Sequence, residues 1–256
     1  MIKAIAFDLW ETLITEDAQT ARRQERLRLD RIEQVLVARG QSHSADRIEN
    51  AYRKLWHRCH ELYWSEDRDV PCRRQVEHFL EGLGLDPASF DEASLDEIEH
   101  AYAHAALDIL PQAVAGANET LAHIRKQELP IGLISNTGRT PGYVLRKILD
   151  RLGLAQSIDV MVFSNEHGEC KPRVSIFEQL RAGLGVEYQE MMFVGDNLYV
   201  DVYGAQRCGM RGIHFIPEQR GTAVAPPVEL DFTITPDATI HTLSELPEVI
   251  ERMRNA

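Results

Sequence analysis

The sequence predicts an α/β protein: a doubly wound parallel-sheet, Rossmann-like core with an inserted all-helical cap domain. Three observations support this prediction. The chain opens with a short apolar segment, residues 2–7, that has the length of a buried strand. A helical stretch far longer than an ordinary crossover connection follows it. Beyond residue 110, short apolar segments alternate with helical ones, which is the pattern of parallel sheets with crossover helices.

The stretch from 16 to 110 shows no strand-like alternation. The predicted helices there are 17–39, 45–64, 72–83 and 95–110. Gly40, Gly84 and the pair Asp86-Pro87 separate them, because these residues break helices. We therefore predict a core formed by residues 1–15 and 111–256, and a separate helical cap domain formed by residues 16–110.

The second half of the chain completes the predicted core. Its predicted strands are 130–137, 160–164, 191–194, 211–216 and a last short one at 231–234. Its predicted helices are 117–127, 142–152, one ending near 184, one opened by Asp201, and 243–253. A proline-rich loop is predicted at 217–227.

Length and composition describe an ordinary globular chain. Its 256 residues, 44% hydrophobic and 27% charged, can bury a substantial core. No apolar run reaches the length of a membrane span, and the first residues lack a targeting pattern. We therefore expect a cytoplasmic protein with no membrane partner. The four scattered cysteines indicate reduced thiols, with neither a zinc site nor a disulfide framework.

The charge balance limits the class of partner. A formal net charge of −12, from 40 acidic and 28 basic residues, argues against nucleic acid, whose binding needs a basic stripe. A small anionic substrate remains compatible with this charge if a metal ion or a lysine neutralises it locally. The sequence makes no prediction about the oligomeric state.

Polar residues follow several predicted strands at the point where each strand ends. They are Asp8, Ser135, Ser164 with nearby Lys171, and Asp196. Parallel strands bring their carboxyl ends to one edge of a sheet, and ligands of open α/β sheets bind outside that edge. An acid, a hydroxyl, a lysine and a second acid at one edge indicate a phosphate or carboxylate site with a bound cation.

These motifs resemble those of the haloacid dehalogenase (HAD) superfamily, in the branch whose helical cap follows the first strand. The family's first motif, Asp-x-Asp-Gly-Thr after a strand, is matched by residues 8–12, Asp-Leu-Trp-Glu-Thr. Ser135 matches the second motif, and Lys171-Pro172 matches the third. Gly195-Asp196 together with Asp201 matches the fourth. The resemblance covers essentially the whole chain.

The resemblance implies a role for each matched residue. Asp8 would be a nucleophile that forms an aspartyl-phosphate. Mg²⁺ would be bound by Asp8, Asp196 and the main-chain carbonyl of Trp10, with Asp201 holding metal-bound waters. The phosphoryl group and the substrate around it would contact Ser135, Asn136, Trp10 and Lys171. Among these, Lys171 would neutralise the charge shared by Asp8 and the phosphate.

The sequence departs from the family at position 10, where phosphatases carry a second aspartate that protonates the leaving oxygen. Trp10 cannot transfer a proton. In the first interpretation the protein is still a phosphatase of phosphate esters or acyl phosphates, with the proton supplied by Glu11, by a cap residue or by nothing. The cap residues considered for this role are His57, His60 and Glu61. Trp56, Tyr63 and Trp64 are candidates for lining the pocket or for packing helix against helix.

Two other interpretations remain open at this stage. A 2-haloacid dehalogenase, in which Asp8 forms an ester with carbon, fits an aromatic residue at position 10 and Asn197, but not Asp196. It also requires a cap arginine for the substrate carboxylate, and the candidates are Arg22, Arg23 and Arg26. The third interpretation is a catalytically weakened protein that binds a phosphorylated ligand.

Overall fold

The structure is a computed structural model that describes residues 1–222 and 231–254. Its strands are β1 Ala4–Phe7, β2 Ile14–Thr15, β3 Gln112–Ala113, β4 Ile131–Ser135, β5 Val160–Phe163, β6 Met191–Gly195, β7 Arg211–Phe215 and β8 Ala238–Ile240. Its helices are α1 Ala18–Ala38, α2 Ala45–Leu62, α3 Cys72–Gly82, α4 Glu92–Ala103, α5 Ala105–Asp108, α6 Ala117–Lys126, α7 Gly142–Arg151, α8 Ser164–His167, α9 Val174–Leu184, α10 Gly204–Cys208 and α11 Leu246–Arg254.

A six-stranded sheet in the order β5-β4-β1-β6-β7-β8 forms the core, and its neighbouring strands run parallel. The predicted α/β class is confirmed. Strand β1 lies in the interior of the sheet, where Ile5 pairs with Ile131 on one side and with Met192 on the other. All four residues of β1 are buried, as expected for a strand covered on both faces.

The central position of β1 determines where the site lies. Asp8 directly follows β1, Ser135 is the last residue of β4, and Asp196 directly follows β6. Strands β4 and β6 are the two neighbours of β1. The three side chains therefore leave the sheet at the same edge, as the sequence predicts.

Helices α1 to α5 form the cap. Helix α1 packs against α4, and α2 packs against α3. Residues four apart on α1, namely Gln24, Arg28, Ile32 and Leu36, form its buried face. Asp17 caps α1 by accepting a hydrogen bond from the amide of Thr20. The domain limits at 15/16 and 110/111 stay a prediction.

The short strands β2 and β3 pair antiparallel where the chain enters and leaves the cap. Ile14 pairs with Ala113, and Thr15 pairs with Gln112. The sequence does not predict this pair, because two-residue strands are too short to show an alternating pattern.

Several predicted elements differ from the observed ones. The predicted strand at 231–234 is wrong, since the last strand is β8. Asp237 sets this register: its amide donates to the carbonyl of Gly212, and its carboxylate accepts from the amide of Gly212 and from Arg211. The predicted helix 95–110 is two helices, α4 and α5. The predicted loop 217–227 lies partly outside the described residues.

The sequence predicts that Asp201 opens a helix. It lies instead within a turn of π-helix, Leu198–Tyr203, that leads into α10. The side chain of Asn197 caps this turn by accepting hydrogen bonds from the amides of Tyr199 and Val200. In residues 1–222 and 231–254, no helix has both the length and the apolar character needed to cross a bilayer.

Candidate active site

A buried lysine connects two carboxylates at the edge of the sheet. Lys171 lies between α8 and α9, and its Nζ donates to Asp8 Oδ1 at 2.6 Å and to Asp201 Oδ1 at 2.7 Å. It also donates to the carbonyl of Ile134 at 3.1 Å. A buried ammonium group is costly unless it is paired and hydrogen-bonded, and these three acceptors meet that requirement.

Three carboxylates converge at the same place. One oxygen from each of Asp8, Asp196 and Asp201 lies within 4.8 Å of the others. The second oxygen of Asp201 accepts a hydrogen bond from the amide of Asn197, which fixes its orientation. Clustered carboxylate oxygens are the donors that Mg²⁺ prefers, so the residues present fit this ion.

Burial and mutual repulsion raise the pKa values of this cluster. Burial, opposed by Lys171 and reinforced by Asp201, raises the pKa of Asp8 to about 6. Burial together with repulsion from Asp201 and Asp8 raises the pKa of Asp196 to about 8. For Lys171, burial disfavours the charged form, but Asp201 and Asp8 outweigh it and raise its pKa. A cation would therefore relieve strong repulsion at this site.

Ser135 and Asn136 have different surroundings. The hydroxyl of Ser135 is buried and has no hydrogen-bond partner among the described residues, which suits a group that receives a ligand oxygen. The amide of Asn136 accepts from the backbone N–H of Lys171 and donates to its carbonyl. Asn136 thus holds the lysine backbone in place, and its contact with substrate stays a prediction.

Position 10 and its neighbour face different surroundings. Trp10 is half-buried and lines the cavity described below. Glu11 is buried at a positive φ of 60°, and its carboxylate accepts from Thr15 Oγ1 at 3.0 Å and from the amide of Gly221 at 2.6 Å. These bonds hold the carboxylate of Glu11 against the core loops, and this residue does not line the cavity.

A cavity of about 580 Å³ separates the core site from the cap. From the core, Asp8, Lys171 and Asp196 line it. From the cap side, its wall includes Glu16, Arg28, Tyr52, Trp56, His60 and Trp64. Burial raises the pKa of Glu16, and its Oε2 has no hydrogen-bond partner among the described residues.

Only some of the cap residues considered from the sequence reach this cavity. His57 and Glu61 are exposed on α2 and do not line it, whereas His60 does. Trp56 and Trp64 line the cavity and contact each other at 4.6 Å between ring centroids. Tyr63 packs within the cap, where its hydroxyl hydrogen-bonds to His78.

Comparison with known proteins identifies the family. A family model described as haloacid dehalogenase-like hydrolase matches residues 2–209. The chain belongs to this family. It is an enzyme of the hydrolase class, as the motifs predict.

Two curated relatives of this HAD hydrolase are phosphatases. A glyceraldehyde 3-phosphate phosphatase from Pyrococcus furiosus is 33% identical over 139 residues, covering 54% of this chain and 55% of that protein. A ribulose-1,5-bisphosphate 5-phosphatase from Halopiger xanaduensis is 30% identical over 137 residues, covering 54% and 56%. The chain spans about half the length of both relatives.

A solved structure resembles this chain over almost all of its residues. It is a 2-haloacid dehalogenase from Pseudomonas syringae pv. Tomato DC3000, which superimposes with a TM-score of 0.69 at 25% identity. The superposition covers 99% of this chain and 100% of that one.

The cap arginine that lines the cavity is not one of those considered from the sequence. Arg22, Arg23 and Arg26 are exposed, whereas Arg28 is 4% exposed and lines the cavity. The helical spacing of α1 could have identified this residue. Arg28 lies four residues before Ile32 and therefore on the buried face of the helix.

A second residue missed by the sequence analysis joins cap and core. Asp69 is buried, and its carboxylate accepts hydrogen bonds from Trp64 and the amide of Val70 in the cap, and from Thr137 and Ser164 in the core. Burial raises its pKa. Ser164, predicted as a strand-end site residue, therefore binds the cap. No sequence pattern predicts such a contact between distant segments.

Proposed function

We propose that this HAD hydrolase is a Mg²⁺-dependent phosphatase that acts on a small phosphorylated metabolite through an aspartyl-phosphate on Asp8. The observation that carries the proposal is the cluster of three carboxylates beside Lys171. A nucleophile next to a cation site and a buried lysine suits an anionic, phosphorylated substrate. The two phosphatases described above, which are similar to this chain, support the same class of reaction.

The proposed reaction has two steps. Lys171 holds Asp8 Oδ1, so the other carboxylate oxygen attacks phosphorus as the bond from phosphorus to the leaving oxygen breaks. Water then cleaves the acyl phosphate, which releases inorganic phosphate and restores the Asp8 carboxylate. The Ser135 hydroxyl, which has no partner among the described residues, donates to a phosphoryl oxygen, and Lys171 offsets the negative charge.

Asp8, Asp196 and the carbonyl of Trp10 would bind Mg²⁺, and Asp201 would hold its waters. When bound, Mg²⁺ supplies charge neutralisation and fixes the phosphate next to Asp8. We expect turnover to require Mg²⁺ and to be lost with EDTA. Asp8→Asn is expected to abolish turnover, because an amide is a poor nucleophile.

Because Trp10 cannot protonate the leaving oxygen, the rate of hydrolysis should depend strongly on the leaving group. General acid help is typically worth about 10²- to 10⁴-fold in rate. Without an acid at position 10, we expect p-nitrophenyl phosphate and acyl phosphates, whose leaving groups are stable anions, to be hydrolysed faster than sugar phosphates by a factor in that range. The measurement is kcat/KM for each substrate at saturating Mg²⁺.

Equal turnover of both substrate types would contradict the absence of an acid. It would point to Glu16 as the acid, because burial raises the pKa of its carboxyl and its Oε2 has no hydrogen-bond partner among the described residues. Glu16→Gln would then slow sugar phosphates more than p-nitrophenyl phosphate.

A 2-haloacid dehalogenase is the second candidate, favoured by the aromatic residue at position 10 and by the similar solved structure. Halide release from chloroacetate that is insensitive to EDTA would establish it in place of the phosphatase. If instead Asp8→Asn left the biological activity intact, the protein would act as a binder of a phosphorylated ligand.

A further inference from the structure

Two arginines lie against one tyrosine ring in the cavity. Arg28 comes from α1 of the cap, and Arg139 comes from the core loop that follows Ser135. The guanidinium carbon of Arg28 is 5.7 Å from the ring centroid of Tyr52, and that of Arg139 is 4.5 Å from it. All three residues line the same cavity as Asp8.

Arg28 is a buried cation that has no acidic partner in the part of the chain that the structure describes. It is 4% exposed, and it donates to the carbonyl of Tyr102 and to the hydroxyl of Tyr52, both at 2.6 Å. These acceptors are neutral. Among the described residues it forms no ion pair, although an unpaired buried charge is costly.

Arg139 also keeps its charge available. It is half-buried and stacks on the rings of Tyr52 and Trp56, at 4.5 and 4.6 Å from their centroids. Within residues 1–222 and 231–254 its guanidinium has no hydrogen-bond acceptor and no ion-pair partner. Stacking fixes the plane of the group and leaves its edge N–H groups for a planar or tetrahedral anion.

The acids that line this part of the cavity do not neutralise the two arginines. The four acceptor positions of Asp69 are occupied by Trp64, Val70, Thr137 and Ser164. Asp67 pairs with Arg173. Burial raises the pKa of Glu16, and the charge of Arg28 opposes this shift. Among the described residues, neither Glu16 nor Glu25, which also lines the cavity, forms an ion pair with Arg28 or Arg139.

We propose that Arg28 and Arg139 form a subsite for a second anionic group of the substrate, a carboxylate or a second phosphate. The proposal rests on the proposed phosphatase function and specifies its substrate class. The phosphoryl group binds beside Asp8, and the second anion binds between cap and core against Tyr52. In a protein of net charge −12, two unneutralised guanidinium groups provide the local attraction that such a substrate needs.

Matched substrates test the proposal. The assay compares phosphorylated hydroxy acids and bisphosphates of two to five carbons with the monophosphates of the corresponding uncharged alcohols. We expect the best doubly anionic substrate to have a KM about tenfold or more below that of its uncharged counterpart. Arg139→Gln should reduce this ratio about tenfold, Arg139→Lys should restore part of it, and Arg22→Gln, on the exposed face of α1, should leave it unchanged.

A binding measurement separates this inference from the proposed function. Calorimetry with phosphonoacetate, which carries a carboxylate, and with ethylphosphonate, which does not, requires no turnover. Preference for phosphonoacetate that falls in Arg139→Gln supports the subsite even if no phosphate ester is hydrolysed. Hydrolysis of phosphate esters with no preference for a second anion, in assay and calorimetry alike, overturns the subsite and leaves the phosphatase standing.

A purely structural role for the arginines predicts a different result. Arg28→Gln and Arg139→Gln would then lower the thermal unfolding midpoint and change the KM of singly and doubly charged substrates by the same factor. That outcome also overturns the proposal. Because Arg28 is buried, its variant is interpreted only when its circular dichroism matches the parent protein.

Discussion

Position 10 determines, at the scale of single residues, which bonds the site can break. We predict that Trp10→Asp raises kcat/KM for a sugar phosphate by up to about 10²-fold while changing p-nitrophenyl phosphate much less, because aspartate can protonate an alkoxide leaving group. The ratio of the two kcat/KM values is the measurement.

Trp10→Asn is the matched control for this prediction. It removes the same indole ring and has nearly the shape of aspartate, but it cannot donate a carboxylic proton. A similar rise in both variants would mean that the smaller side chain, and not the proton, changes the rate. No rise in Trp10→Asp would mean that another acid already serves the site.

Single residues also show what the sequence could predict about the site. The acids and the lysine follow strands at recognisable positions, so their convergence could be predicted from the topology alone. Composition alone does not single out Arg28, because Arg22, Arg23 and Arg26 are the same residue type on the same helix. Arg28 differs from them in the face of the helix on which it lies. Asp69 was beyond prediction, since its partners lie in the core, far along the chain.

At the scale of elements, the turn after β6 depends on Gly195. A methyl group at this position would overlap the carboxyl group of Asp201. We predict that Gly195→Ala displaces Asp201 from Lys171, lowers the free energy of unfolding by about 1–3 kcal/mol and weakens Mg²⁺ binding. Chemical denaturation and calorimetric Mg²⁺ titration measure the two effects.

Gly82→Ala provides the control, because a methyl group there has no neighbour closer than 3.7 Å and lies at the end of helix α3. It should be neutral or slightly stabilising, since alanine favours helix. Unchanged Mg²⁺ affinity in Gly195→Ala would contradict the placement of Asp201 in the cation site.

Elements differ in how far local sequence determines them. The two longest helices of the cap, α1 and α2, begin within one residue of their predicted limits, where Asp17 and Ser44 cap them. Strand β8 was misplaced because its position depends on Asp237 bonding to Gly212 and Arg211, which are distant in sequence. Local hydrophobicity carries no information on that register.

At the scale of the whole molecule, the carboxylate cluster links stability to pH and Mg²⁺. Without a cation, the folded protein binds protons at Asp8 and Asp196 up to about pH 6 and pH 8, whereas the unfolded chain loses them near the ordinary value of 3.8. The metal-free protein therefore loses stability as the pH rises from about 3.8 to about 8. Mg²⁺ requires the ionised carboxylates, so it should stabilise more at high pH.

We predict that Mg²⁺ raises the thermal unfolding midpoint more at pH 8 than at pH 6, as measured by differential scanning calorimetry. Sodium chloride at equal ionic strength controls for screening. Asp196→Asn should lose most of the increase. An equal increase at both pH values would contradict the assignment of the raised pKa values to the cation site.

The antiparallel pair of β2 and β3 brings the chain's entry to the cap next to its exit. Since Ile14 pairs with Ala113 across this ribbon, both covalent connections between core and cap lie side by side. Any hinge motion of the cap would therefore bend the two connections together. It would also have to break the hydrogen bonds that Thr137 and Ser164 of the core donate to Asp69 of the cap.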